Sequence, residues 1–220
     1  MRVAGMDVWK RGWVAVVIDG GTIDAIETFA TLADFHAVAD DVVAVGLDIP
    51  VVLPSDPPRR ADADARAAIG PRRSSVFNAP PLDVIEQPTY PRALALSRER
   101  HGIGLSAQSY ALRTRILEAQ AIAHTDDRFF EVHPEVSFAA MAGHHLAFAK
   151  KTWNGQTMRR DLLAAHGLEI PSTIDGAAGS IPADDVLDAA AAAWSANRRA
   201  DGLAGTLPSD PDPGEGVIRY

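Results

Sequence analysis

Three strand-length apolar runs stand within the first thirty residues, and the links between them are too short for anything but tight turns. RVAGMDV (2–8) and GWVAVVID (12–19) are joined by a short basic stretch, and TIDAIETFA (22–30) comes after DGG. Glycine takes the positive φ values of tight hairpins, so DGG is a strong turn signal. The opening of the chain must therefore be an antiparallel meander, and the remaining segments have to cover its two faces.

The next segments do so by crossovers. TLADFHAVAD (31–40) has helical apolar spacing with Thr31 as its cap, and VVAVGLDI (42–49) is a continuous apolar run suited to a strand covered on both faces. Residues 50–127 read as a helix and loop insertion. Within it, PRALALSRERHG places Pro91 near a helix start and Gly102 at its end, and SAQSYALRTRILEAQAIAH (106–124) reads as one longer helix capped by Ser106. RFFEVHPEVSF (128–138) returns to strand character before a helix, and IPADDVLDAAAAAWSANRRA (181–200) is a strong helix. The order predicts an α/β fold over residues 1–220 as a single domain. It is a mixed five-stranded sheet, three antiparallel strands first, with helices on both faces.

Composition narrows the function classes. The chain has no cysteine, which excludes disulfides, thiolate zinc sites and a cysteine nucleophile. The apolar stretches are too short and interrupted to cross a bilayer, and the N-terminus opens directly into a strand, so a cytoplasmic protein without membrane contact is the expectation. A formal net charge of -8 argues against holding nucleic acid by bulk electrostatics alone. The sequence leaves a homodimer open.

Carboxylates recur where strands end. Asp7 closes the first run, Asp48 closes the fourth, and Glu131 sits in FFEVHPE; Asp185 and Asp188 lie three apart on one face of the last helix, with Asp184 and Asp188 as the alternative pairing. Parallel strands bring their C-terminal ends to one edge, where ligands of open α/β sheets collect. Strand-terminal aspartates often only cap turns, and Asp184 and Asp185 suit a helix N-terminus in any case. Asp188, inside its helix and heading an alanine run, is harder to explain that way. Gathered carboxylates raise one another's pKa unless a cation sits among them, and hard ions such as Mg²⁺ or Mn²⁺ prefer these oxygens. Two such ions about 4 Å apart can drive phosphodiester cleavage.

GMDVWKRGWVAVVID, VGLDIPVVLP, RRADADARAAIGPRRSSVF, EVHPEVSF, KKTWNGQTMRRDLL and DDVLDAAAAAWSA resemble, in that order, the sequence blocks of the DUF429 family. The resemblance runs from residue 3 to the final VIRY. It implies a predicted nuclease of the ribonuclease H-like fold, similar to Holliday-junction resolvases. By position it puts the family's acidic set on Asp7, Asp48, Glu131 and the Asp185/Asp188 pair. Asp7, Asp48, Glu131 and Asp188 are the metal ligands expected, and nucleic acid, DNA or RNA, is the substrate.

Basic residues supply candidate substrate contacts. Arg66, Arg72, Arg73, Ser74 and Ser75 read as a phosphate-holding set, because guanidinium forks match phosphate oxygens and hydroxyls add donors. Asp62 and Arg66, four apart, read first as a helix ion pair. His133 stands between Glu131 and Glu135, where an imidazole is more often packed than catalytic, yet it would face the proposed ions. Lys150, Lys151, Arg159 and Arg160 read as a solvated face or as the lining of a substrate path, with Lys151 the substrate contact and Trp153 placed to stack on a base. Two other readings compete: a nucleotide-binding or phosphotransfer protein of the same fold, and a non-catalytic binding module.

Overall fold

The computed structural model describes every residue except Arg11. β1 (Arg2–Trp9), β2 (Gly12–Asp19) and β3 (Thr22–Phe29) form the antiparallel meander, with Gly20 and Gly21 at positive φ in the second turn. A capping box between Thr31 and Asp34 starts α1 (Leu32–His36). β4 (Val42–Leu47) then lies parallel to β1, and β5 (Phe129–Glu131) lies parallel to β4, so the sheet order is β3-β2-β1-β4-β5. This is the mixed five-stranded sheet expected from the sequence.

Between β4 and β5 the chain runs through α2 (Arg60–Ile69), a 3₁₀ turn (Gly70–Ser75), α3 (Leu82–Ile85), α4 (Tyr90–His101), α5 (Ala107–Ala111) and α6 (Arg113–Thr125). The single helix read over 106–124 is thus two. Ser106 caps the first, and at Leu112 the backbone N–H is shared between the carbonyls of Gln108 and Ser109, which tightens the chain and breaks the α repeat. The strand character read over 128–138 stops at Glu131. Pro134, already without an N–H, starts α7 (Pro134–Ala142) instead. α8 (Trp153–Ala165), α9 (Ala183–Ala200) and a small hairpin, β6 (Thr206–Leu207) with β7 (Ile218–Arg219), complete the chain. No helix among the described residues is long and apolar enough to cross a membrane.

Helices cover both faces of the sheet. Ala4, Met6, Trp13, Ala15 and Leu47 pack with Leu32 and Phe35 of α1 and Ile116 of α6. Val3, Val14, Val16 and Ala44 pack on the opposite side with Phe138, Leu163 and the Ala189–Ala193 run of α9. On that side α9 rests almost directly on backbone. A Cβ at Gly5 would stand 1.9 Å from the Ala193 nitrogen, and one at Gly46 would stand 2.6 Å from the Ala192 oxygen. The alanine run has no bulk to hold the helix away.

This contact fixes the register of everything nearby. Side chains two apart on a strand share a face, so Asp7 follows Gly5 and Asp48 follows Gly46 onto the α9 side. Asp188, one turn before Ala192, lands against the same strand ends. Replacing Gly5 with alanine is expected to push α9 off the sheet and cost about 3 kcal/mol or more, read as a loss of denaturation midpoint with the slope unchanged. A Gly5→Ala protein as stable as the wild type would show that α9 sits elsewhere.

Candidate metal centre

Asp7, Asp48 and Asp188 each turn a carboxylate oxygen to a common point, and the three oxygens lie within 4.8 Å of one another. Each is placed by its backbone. Asp7 sits two residues inside the end of β1, where its Oδ1 accepts the Val8 N–H (2.6 Å). Asp48 immediately follows β4, and its N–H donates to the Met6 carbonyl (2.9 Å). Asp188 comes from the second turn of α9 and is 1% exposed. Its Oδ2 takes the ammonium of Lys150, while its buried Oδ1 has no hydrogen-bond partner among the described residues.

The electrostatics follow from this crowding. Burial, then Asp48 and Asp188, raises the Asp7 carboxyl well above its ordinary range. Burial, then Asp188, pushes Asp48 up to about 8, and Asp188 is raised chiefly by burial. Burial opposes the charge on Lys150, but Asp188, Asp48 and Asp7 outweigh it and hold the ammonium above its usual pKa. Three carboxylates thus share one amine.

Asp185 stands outside the triad. It is half-buried at the cleft wall, and burial with the neighbouring Asp184 pushes it up to about 6. The cleft encloses about 370 Å³, and His133, Ser75 and Lys151 also line it. Burial and Lys150 push the His133 imidazole down to about 4, so it is neutral at pH 7, and its Nδ1 is buried without a partner among the described residues.

Glu131 is brought to the same strand edge but is engaged elsewhere. Both its oxygens accept from Arg59 (2.8 and 2.6 Å), and Oε2 also accepts the Val51 N–H (3.2 Å). Arg59 reaches in turn to Asp62 (2.6 Å) and the Val52 carbonyl (3.0 Å), and Asp62 accepts the Ala79 N–H (2.9 Å). The helix pair read between Asp62 and Arg66 is therefore not formed. Arg66 donates instead to the Val76 carbonyl and to Asn78 Oδ1 (2.5 Å).

The remaining basic residues separate. Arg72 donates to the Ala147 carbonyl (2.7 Å), Arg73 and Ser74 are exposed, and of this group only Ser75 lines the cleft. Arg159, read as part of a solvated face, is fully buried in a two-pronged pair with Glu135 (2.6 and 2.7 Å). Lys150, read the same way, is the cation of the triad. Sequence reasoning missed the pairs Arg59–Glu131, Lys150–Asp188 and Arg159–Glu135 because the partners are distant in the chain. The one local signal was that arginines and a lysine recur beside candidate acids.

Chemically, the triad offers oxygen donors alone, an arrangement suited to a hard divalent cation. The buried Asp188 Oδ1, with no partner among the described residues, is an acceptor that a cation could take up, since most buried polar atoms are paired. Comparison with known proteins returns one family model, described as a protein of unknown function (DUF429), which matches residues 5–213. No curated protein and no solved structure matches the chain.

The raised carboxylates set the pH response. In the folded state Asp48 holds its proton up to about 8, whereas its unshifted pKa is 3.8, so between those values the folded chain binds more protons than the unfolded one. Stability in chelator is then full at low pH and falls as pH rises through 8. Asp185, at about 6, acts in the same direction. The expected result is a thermal midpoint lower at pH 8.5 than at pH 5 in EDTA, with the difference reduced in Asp48→Asn. A midpoint that rises over that range would contradict it.

Proposed function

We propose that this chain, which belongs to the DUF429 family, is a metal-dependent nuclease of ribonuclease H-like fold that hydrolyses phosphodiester bonds of nucleic acid. The observation that carries the reading is the convergence of Asp7, Asp48 and Asp188, from two parallel strand ends and one closing helix, with a buried Asp188 oxygen left unpaired. The strand order β3-β2-β1-β4-β5 supports the fold assignment.

Asp7, Asp48 and Asp188 would hold Mg²⁺ or Mn²⁺. When bound, such ions supply Lewis acidity toward a phosphodiester and its attacking water. The chain's own groups do the rest. Lys151 lines the cleft and would present its ammonium group to the phosphate, and Ser75 would offer a hydroxyl donor. The neutral His133 ring lines the cleft, where it would help orient water or substrate. Asp185, half-buried with a raised pKa, stands where it can orient water or take up a proton. Glu131, with both oxygens on Arg59, acts from the wall by fixing the Val51–Val52 backbone beside Asp48.

One observation favours a non-catalytic module instead: Lys150 already places a positive charge among the carboxylates. Metal titration separates the two readings. In the nuclease reading, Lys150→Met removes a competitor for Asp188, so Mn²⁺ binding measured by calorimetry tightens several-fold or more. If the wild type and Lys150→Met both fail to bind Mn²⁺ or Mg²⁺, the lysine is the permanent partner.

The activity itself is checked on single-stranded, duplex and branched DNA and on RNA, each with Mg²⁺ or Mn²⁺. Asp7→Asn is expected to lower the cleavage rate by roughly a thousandfold or more, with its circular dichroism and thermal midpoint retained. A folded wild type that cleaves none of these substrates with either ion sinks the nuclease reading.

A further inference from the structure

Trp153, the first residue of α8, is 82% exposed, and Phe148 five residues earlier is 41% exposed. They line one groove of about 430 Å³, together with Met158 and Leu162 and with polar edges at Asn154 and Asp161. An exposed tryptophan on a mobile tip would mean little, but this one is braced. Thr152 caps α8 by accepting the Gly155 N–H (3.1 Å), its own N–H donates to the Ala149 carbonyl (2.9 Å), and buried Arg159 holds the Phe148 carbonyl (3.2 Å). A Cβ at Gly155 would stand 1.9 Å from the Ala149 oxygen, so loop and helix are in direct backbone contact.

This loop has two faces. Lys150 and Lys151 line the carboxylate cleft, while Phe148 and Trp153 on either side of them line the groove. Three residues of chain span at most roughly 11 Å, so the aromatic face and the cationic face lie within a nucleotide or two of each other on an extended strand. A ligand that meets ammonium groups and an aromatic plane at that spacing carries alternating phosphates and flat rings. Aromatic side chains stack on any base, and neighbouring lysines follow the backbone.

Resting on the nuclease reading above, we propose that the groove is a nucleobase platform: Trp153 stacks an unpaired base of the strand whose phosphates meet Lys151. Asn154 and Asp161 face the edge of that base with hydrogen-bonding groups, as in single-strand recognition generally. The substrate class is therefore nucleic acid with at least one unstacked nucleotide beside the scissile bond, rather than unbroken duplex.

The test measures binding to the full chain in Ca²⁺, using a short single-stranded oligonucleotide and an abasic chain of equal charge. The wild type is expected to prefer the oligonucleotide by roughly tenfold. Trp153→Ala should reduce that preference to within twofold, and Trp153→Phe should keep most of it. Equal affinity of the wild type for both ligands, or an unchanged preference in Trp153→Ala, overturns the proposal while leaving cleavage and the nuclease reading intact. A wild type that binds neither ligand and cleaves no nucleic acid overturns both. A wild-type dimer that Trp153→Ala dissociates assigns the groove to a second copy of the chain and likewise overturns the platform.

Discussion

Backbone-to-backbone contact between α9 and the sheet is the constraint on which the rest of the molecule depends. Gly5 and Gly46 sit at matched positions on adjacent parallel strands and leave no side chain between the sheet and the Ala189–Ala193 turn of the helix. The helix can then approach until its own atoms touch the strands. At ordinary helix-to-sheet separation, Asp188 would point into the gap between layers, too far to meet the carboxylates of β1 and β4. The closeness that secures the core thus also sets the charge cluster at its end, so stability and chemistry rest on the same two glycines.

The buried charges divide into those that are satisfied and those that are not. Arg59 is saturated by Glu131, Asp62 and the Val52 carbonyl, and Arg159 pairs with Glu135 and two carbonyls through its two terminal nitrogens. Removing one partner of such a buried pair typically costs about 3–5 kcal/mol, because the other is left uncompensated. Asp7, Asp48 and Asp188 differ in kind: one ammonium serves three carboxylates, and one oxygen is left over. The like charges are gathered along the wall of the cleft that all three line. The contrast lies in the charge count: Arg59 and Arg159 each meet carboxylates, whereas at the triad the acids outnumber the one cation.

Much of the architecture was legible in the residues. The DGG turn, the alternating apolar runs, the Thr31 cap and the alanine helix dictate local structure, and their order allows few topologies. The acids Asp7, Asp48 and Asp188 were legible because each breaks a local pattern: a carboxylate in a buried strand run, or one at the head of an alanine stretch. What could not be read was pairing across distance. Glu131 has the same local appearance as the aspartates, and only the fold shows that Arg59, 72 positions away, takes both its oxygens. Lys150 and Arg159 look like solvated surface because nothing nearby in sequence reveals that Asp188 of α9 pairs with the first and Glu135 of α7 with the second. Charge spacing along a helix is local information, so Asp62 and Arg66 suggested a bond that Arg59 forms instead.

Arg159 links these levels. From the interior of α8 it pairs with Glu135 in the first turn of α7 and holds the carbonyl of Phe148, and so ties the two helices together and pins the middle of the loop between them. That loop carries Lys150 to the triad, Lys151 to the cleft and the two aromatics to the groove. The position of the cluster's positive charge is therefore set by a guanidinium that is itself wholly buried. A lysine on an unanchored loop would gain little by entering a crowded acidic site, since ordering a long side chain carries an entropic cost. Here the loop is already ordered, and only the side-chain torsions remain to be fixed. The same anchoring keeps the aromatic face turned outward beside the cleft, so the exposed aromatic face and the charge compensation are two consequences of one buried ion pair.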